Sequence, residues 1–239
     1  DKVKAFICTQ DLKDDNYINN HYVIMATKMG QVKKTSLEQY SRPRSNGINA
    51  ITIKDGDELL EAKLTNGNSQ IMLAVKSGKA IRFEESKTRP MGRNASGVRG
   101  IRLKDNKDEV VGMISVNDMD ANILVVSENG FGKRSSLEDY RLTNRGGKGV
   151  KTISITSKTG QLVSLKSVTD SDDLMIINKS GIAIRMQVAD LRVMGRATQG
   201  VKVISIKDGD GIAAVAKVMN DEDEIEDIND IEFTGDTIK

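Results

Sequence analysis

This 239-residue sequence predicts an all-β, propeller-like fold of four-stranded blades, and three observations carry the prediction. First, four apolar runs, "YVIMATKMGQVKKTSLEQY", "IMLAVKSGKAIRFEESKT", "ILVVSENGFGKRSSLEDY" and "LMIINKSGIAIRMQVADL", each turn at a glycine: Gly30, Gly78, Gly130 and Gly181. Second, the phrases "NGINAITIK", "SGVRGIRLK", "KGVKTISIT" and "QGVKVISIK" follow with their own glycines, Gly47, Gly97, Gly149 and Gly200, at offsets of 17, 19, 19 and 19. Two registers that agree four times mark a repeat, and units of about 50 residues with several short strands suggest blades around an axis. Third, 3.6-residue periodicity is missing except for a hint in the acidic C-terminus.

In chain order, "KVKAFICT" matches the closing strand of a unit whose earlier strands are missing, so residues 1–18 read as the closing strand and linker of a preceding blade. The array thus reads as starting partway through a longer one. The units fall at roughly 19–69, 70–119, 120–172 and 173–219. In each, an apolar strand such as "ILVV" meets a glycine hairpin and returns through a basic strand such as "GKRSS". A glycine-bearing connection leads to an alternating strand such as "VKTISIT". A turn such as "KDGD" or "SKTG" then opens the closing strand, for example "LVSLKSV".

Composition fits this plan. Aromatics are 3% and tryptophan is absent, so the core must come from Ile, Val, Leu, Met and Ala. Against 2 prolines stand 21 glycines, which points to tight turns rather than extended linkers. The single Cys8 cannot form an internal disulfide, and the sequence reads as that of a soluble cytoplasmic protein. The net charge of +2 hides an asymmetry: residues 220–239 hold nine acids and one lysine, a balance of −8 that leaves +10 for residues 1–219. A basic body with an acidic tail points to a polyanionic partner, with the tail as a competitor for the same surface.

The basic residues cluster in the returning strands and the connections. The first unit offers Lys33, Lys34, Arg42 and Arg44; the second Lys79, Arg82, Arg89, Arg93, Arg99 and Arg102. The third has Lys133, Arg134, Arg141, Arg145, Lys148 and Lys151, with Gly146, Gly147 and Gly149 among them; the fourth Arg185, Arg192, Arg196 and Lys202. A glycine-rich stretch such as "TNRGGKG" could cradle a nucleotide phosphate, but a nucleotide loop occurs once and opens a helix, whereas this connection recurs and leads into a strand. Its glycines admit close approach to phosphate oxygens, and its cations suit a polymer backbone. With few aromatics to stack on exposed bases, duplex DNA is the expected partner, bound weakly sequence-specifically and bent. A protein-interaction propeller recruiting an acidic partner is the alternative.

Other features read as structural. Tyr40 and Tyr140 lie in parallel phrases, so neither is a unique nucleophile. His21 and Cys8 lack partners at metal-ligand spacing, so no metal site is expected. "KDGDG" at 207–211 resembles a calcium loop, but "KDGDE" at 54–58 makes it a repeated turn. "NAS" at 94–96 is a glycosylation sequon by letter only.

Taken together, "MGRNASGVRGIRL", "NGFGKRSSLEDY", "NRGGKGVKT" and "VMGRATQGVKVISI" resemble the DNA gyrase A C-terminal domain, over essentially all of residues 1–219. The resemblance implies a six-bladed β-pinwheel with strands exchanged between neighbouring blades, of which about four, resembling blades three to six, are present. It implies wrapping of duplex DNA around a basic perimeter in support of ATP-driven negative supercoiling. The partners implied are the gyrase B protein and the N-terminal part of the gyrase A protein in an A2B2 holoenzyme of the bacterial cytoplasm. It places the catalytic tyrosine, ATP and Mg2+ in other parts of that assembly, so this domain is expected to hold no cofactor. The family's box, Gln-Arg-Arg-Gly-Gly-Lys-Gly, belongs to the first blade; here "TNRGGKG" is a box-like copy in which Arg145, Gly146, Gly147, Lys148 and Gly149 match, while Thr143 and Asn144 do not. The corresponding C-terminal domain of topoisomerase IV, with a degenerate box, is the nearest alternative.

Overall fold

The computed structural model describes residues 3–207 and 209–218; the acidic tail from Asn220 lies outside the described residues. One short helix, α1 (Asp15–Asn20), precedes fifteen strands. Its N-cap Asp14 accepts from the backbone N–H groups of Asn16 and Tyr17 at 2.9 and 3.3 Å.

The strands are β1 (Tyr22–Thr27), β2 (Gln31–Ser36), β3 (Leu59–Thr65), β4 (Gln70–Val75), β5 (Lys79–Glu84), β6 (Val98–Arg99), β7 (Val110–Val116) and β8 (Asn122–Ser127). They continue with β9 (Phe131–Ser136), β10 (Val150–Lys151), β11 (Leu162–Val168), β12 (Asp173–Asn178), β13 (Ala183–Gln187), β14 (Val201–Lys202) and β15 (Ile212–Val218). They form four antiparallel sheets in the orders β3-β1-β2-β6, β10-β5-β4-β7, β11-β8-β9-β14 and β13-β12-β15. Each of the first three is one complete blade: a hairpin, the unit's own closing strand on one side, and a strand from the next unit on the other. The fourth has the hairpin and closing strand alone among the described residues.

The exchange of strands between neighbouring blades that the resemblance implies is present, and two readings made from the sequence pattern are corrected. The alternating strand does not stay in its own unit, and only two residues of it pair: Val98 and Arg99 with Val32 and Gln31, Val150 and Lys151 with Ala80 and Lys79, Val201 and Lys202 with Gly132 and Phe131. The remaining alternation has another cause. Ile153 is buried and Ile155 half-buried against the hairpin of the preceding blade, while Thr152 N–H donates to Gly78 O at 2.9 Å. Residues 3–9, expected as a closing strand, form no strand; Ala5 and Ile7 pack instead on the apolar face of the first blade.

The exchange also accounts for both glycine registers. A Cβ on Gly78 would sit 2.6 Å from the Ile155 side chain, and one on Gly149 would sit 2.5 Å from Ala80 O; both glycines have left-handed φ, +80° and +70°. Gly47 and Gly181 hold equivalent places but meet nothing within 4 Å, since no described segment crosses them. The turn aspartates are staples rather than calcium ligands. Asp108 accepts from Ser77 N–H at 2.9 Å, Ser77 O–H at 2.8 Å and Lys104 N–H at 3.0 Å; Asp57 accepts from Met29 N–H at 2.9 Å. Among the described residues no cluster of His, Cys, Asp and Glu could hold a metal ion.

Blades pack face to face, and strand alternation sends successive side chains to opposite neighbours. Ile71, Leu73 and Val75 pack against Ile24, Ala26 and Val32 of the blade before, while Met72 and Ala74 pack against Ile123 and Val125 of the blade after. Leu124 and Val126 reach the fourth blade. The outer face of the first blade is covered by Ile18 of α1 and by Ala5, Ile7, Ala50 and Ile51. The closing strands β3, β7, β11 and β15 lie side by side along the inner edge, which puts β6, β10 and β14 on the outer rim. No helix among the described residues is long and apolar enough to cross a membrane.

Candidate nucleic-acid interface

The basic residues singled out above divide into two populations. Those of the returning strands are buried: Lys33 and Lys133 fully, Lys34, Arg82 and Arg134 nearly so. The structure removes these five from the candidate DNA-contacting surface, and the reason is the exchange. Each cation binds at least one group of the next blade or of the chain crossing it, most of them alongside groups of their own unit. Arg82 donates from Nη1 to the carbonyls of Leu137 and Tyr140 at 2.8 and 3.0 Å, and from Nε to Gln70 Oε1 at 2.6 Å. Arg134 does the same toward Leu191 O and pairs with Asp170. Lys34 pairs with the buried Glu85 at 2.8 Å and lies over the Tyr22 ring, 4.0 Å from its centroid. Lys33 donates to the carbonyls of Ala50 and Arg93, and Lys133 to Gly195 O at 2.6 Å. Burial pulls both ammonium pKa values down to about 8, with Arg93 adding to the drop at Lys33. Arg185, at the equivalent place in the fourth blade, pairs with Asp173 of its own blade at 2.6 Å.

The second population lies on the rim. Arg89, Arg141 and Arg192 occupy equivalent positions at the start of the connections, and all three are exposed. Arg99, Lys151 and Lys202 are equivalent on β6, β10 and β14, and they too are exposed. Arg42, Arg44, Arg102 and Lys148 are exposed, while Lys79 and Arg93 are partly covered. Among the described residues none of these makes a salt bridge, although salt bridges occur elsewhere on the surface. Unpaired cations repeated blade by blade along one edge are what a phosphate rail requires.

The box-like loop is divided between the two populations. Arg145 donates from Nε to Lys87 O at 2.9 Å and from Nη1 to Arg99 O at 3.0 Å; Arg196 repeats this on Asp139 O and Lys151 O at 3.0 and 2.9 Å. These guanidinium groups tie a connection to the unit before it. Gly146 N–H donates to Gly100 O at 2.6 Å, Gly147 O accepts from Arg102 N–H at 2.8 Å, and Gly149 presses on Ala80. The expectation that these glycines offer N–H groups to phosphate is therefore corrected for Gly146, whose donor is already used within the chain. Of the two cations in this loop, only Lys148 projects without a partner among the described residues.

The structure adds cations that the repeat pattern did not single out. In a groove of about 540 Å3 beside β5 and β10, Lys104 and Lys107 join the already named Lys79 and Lys151, together with Asp105, Asp108 and Lys76, which pairs with Glu109 at 3.1 Å. Equivalent grooves carry Lys54, Arg99 and Arg102 beside the first blade, and Lys158, Lys202 and Lys207 beside the third. The signal was present: Lys54, Lys104 and Lys207 recur at equivalent places in turns whose structural role masked their charge. Tyr140 is buried and its hydroxyl lies 2.5 Å from Thr152 Oγ1; burial raises its pKa, the reverse of what a nucleophile requires.

The model of the DNA gyrase C-terminal domain, a β-propeller, matches residues 21–66, 70–117, 121–169 and 172–219. The DNA gyrase A protein of Staphylococcus aureus (strain MRSA252) is 43% identical over 93% of this chain, and that of Staphylococcus epidermidis (strain ATCC 12228) is 43% identical over 93%. The chain spans about a quarter of the length of these relatives, 25% and 24%. A solved C-terminal domain of DNA topoisomerase IV superposes with a TM-score of 0.81 at 25% identity, covering 88% of this chain and 66% of that one. A solved DNA gyrase A C-terminal domain superposes at 0.75 and 25%, covering 84% and 67%. The fold is thus shared by both kinds of domain, while the sequence matches at 43% are to gyrase A proteins. With four repeats matched in order and that identity along nearly its whole length, the chain belongs to the DNA gyrase C-terminal domain family.

Proposed function

We propose that this chain binds duplex DNA along its outer rim and bends it, so as to support ATP-dependent negative supercoiling by a type II topoisomerase, DNA gyrase. The chain does no bond chemistry itself and needs no cofactor. Its partners are duplex DNA, the gyrase B protein and the remainder of the gyrase A protein in an A2B2 assembly, with ATP and Mg2+ held elsewhere in it. The setting is the bacterial cytoplasm. One observation carries the reading: exposed cations without salt bridges among the described residues recur at equivalent rim positions, Arg89, Arg141 and Arg192 with Arg99, Lys151 and Lys202. Each pair of rows brackets a blade edge. In β2, Gln31 faces Arg99, and Lys34, three residues along, faces Pro90, the residue after Arg89, so the Arg99 and Pro90 backbones stand roughly 10 Å apart at about 3.3 Å per residue.

A stiff polyanion that meets several such edges in succession must curve to touch them all. With roughly 6–10 phosphate contacts, affinity should fall about 10³–10⁵-fold between 50 and 200 mM salt. Titrating a labelled duplex across that range tests it, and salt-independent binding would refute it. A complex with an acidic protein that survives nuclease treatment would support the protein-interaction alternative instead. We further propose that residues 220–239, at −8, compete for the rim; their deletion should tighten DNA binding at low salt.

A further inference from the structure

Beside each of the rim arginines Arg89, Arg141 and Arg192 stands an exposed apolar side chain outside the blade cores. Pro90 follows Arg89, Leu142 follows Arg141 and Val193 follows Arg192. Pro90 is exposed, and Leu142 and Val193 keep 44% and 53% of their surface open to solvent. Single exposed apolar residues are commonplace on proteins, but these three occupy one register.

Each forms a parallel bridge with the buried cation of the preceding blade: Pro90 with Lys34, Leu142 with Arg82 and Val193 with Arg134. The next residue's N–H then donates to that cation's carbonyl: Met91 to Lys34 at 2.8 Å, Thr143 to Arg82 at 2.9 Å and Met194 to Arg134 at 2.8 Å. The backbone under each apolar side chain is therefore pinned to the rim. The first unit's connection is two residues shorter, and its Arg42 and Pro43 are both exposed.

We propose that Pro90, Leu142 and Val193 form a row of apolar contacts to duplex DNA, one per blade, packing on deoxyribose and base edges in the groove that faces the rim. The inference rests on the DNA-binding reading above. Charge identifies the occupant: an acidic duplex is already drawn to the neighbouring Arg89, Arg141 and Arg192, and its sugars and groove edges are the apolar surfaces presented beside the phosphates. The cations supply affinity that salt erases. The apolar row fixes where the duplex sits on each blade and contributes affinity that salt leaves in place.

The test is a triple variant of the chain, Pro90→Ser, Leu142→Ser and Val193→Ser, set against Arg141→Ala. Duplex affinity is measured from 50 to 200 mM salt, with calorimetry for the heat-capacity change of binding. The serine variant should bind about tenfold more weakly or worse at every salt concentration, with an unchanged slope and a less negative heat-capacity change. Arg141→Ala should instead flatten the slope by about one unit. Leu142→Met with Val193→Ile should bind as the parent does. A serine variant that matches the parent at all salt concentrations, or that loses slope rather than salt-independent affinity, would overturn the apolar row alone. A parent that does not bind duplex would remove the DNA-binding reading and this inference with it.

Discussion

Lys34 and Arg141 are both cations on a blade edge, and they do opposite things. Lys34 points into the joint between blades, where Glu85 neutralises it and Tyr22 covers it; Arg141 points away from the joint and meets no partner among the described residues. The difference is topological. The returning strand is hemmed in on both faces by neighbouring blades and on its edge by the exchanged chain, so its polar heads must be satisfied inside the protein. The connection that passes over that strand is the last layer before solvent, so its cations stay available. Burial converts a positive charge from an interaction surface into a blade-to-blade clamp.

The sharpest way to break this contrast is to remove a clamp. Lys34→Ala leaves the Glu85 carboxylate buried, holding only its bonds from Thr65 O–H at 2.7 Å and Ser69 N–H at 3.2 Å. We expect a loss of about 3–5 kcal/mol in urea unfolding. Lys34→Met combined with Glu85→Gln should recover much of it, since the uncompensated charge is then gone. A loss no larger than that of a rim substitution would show that Lys34 is not a clamp.

The next effect is a pH dependence confined to the clamps. Lys33 and Lys133 have folded-state pKa values near 8, below their unfolded value of 10.5, because burial disfavours the ammonium form. Between those values the unfolded chain binds more protons than the folded one, so stability rises as pH rises from about 8. Above about 10 the rise should stop, because the buried Tyr140 and half-buried Tyr40 resist ionising in the fold while the unfolded chain ionises freely. Urea midpoints at pH 7 and 9.5 test the sign. Lys33→Met with Lys133→Met should flatten the profile, whereas Lys148→Met on the rim should leave it unchanged.

A smaller effect concerns a neutral bond in the same joint. Tyr140→Phe removes the hydroxyl 2.5 Å from Thr152 Oγ1 in a fully buried setting and should cost on the order of 1 kcal/mol. DNA affinity should not change. A loss of DNA binding without a loss of stability would instead return Tyr140 to the list of functional residues.

Much of this architecture was legible in the sequence, because the repeat supplies its own internal alignment. The hairpins, the turn stapled by Asp57 and the structural role of the tyrosines followed from recurrence. Strand exchange was not legible from pattern. "VKTISIT" alternates as a strand would, but Ile153 and Ile155 alternate because they straddle Gly78 of another blade. It entered only through the family resemblance. The fate of the adjacent Lys33 and Lys34 was hidden for a related reason. Neighbouring residues of a strand point to opposite faces, which ordinarily leaves one exposed, yet both faces of β2 are covered by other parts of the chain. The rim positions Arg89, Arg141 and Arg192 were named, but nothing in their letters separated them from the clamps. Helix α1 and the missing strand at residues 3–9 went unforeseen because helix and segment cover a blade face, a tertiary circumstance without a local signature.

The finest comparison sits inside one loop. Arg145 and Lys148 both match the family's box, but Arg145 holds two carbonyls of the preceding unit and Lys148 holds nothing among the described residues. Lys148→Ala should therefore change stability by less than about 0.5 kcal/mol and lower the salt slope of DNA binding by about one unit. Arg145→Ala should cost about 1–2 kcal/mol through the carbonyls it abandons. Its effect on DNA should come from slack between blades as well as from charge, so Arg145→Lys, which keeps the charge but not the fork, should rescue the slope better than the stability. Were Arg145→Lys to restore stability fully, the guanidinium geometry would be irrelevant and Arg145 would belong with the rim. Were Lys148→Ala to destabilise the fold as Arg145→Ala does, the division of the box into one clamp and one free cation would fail at the place where the two populations meet.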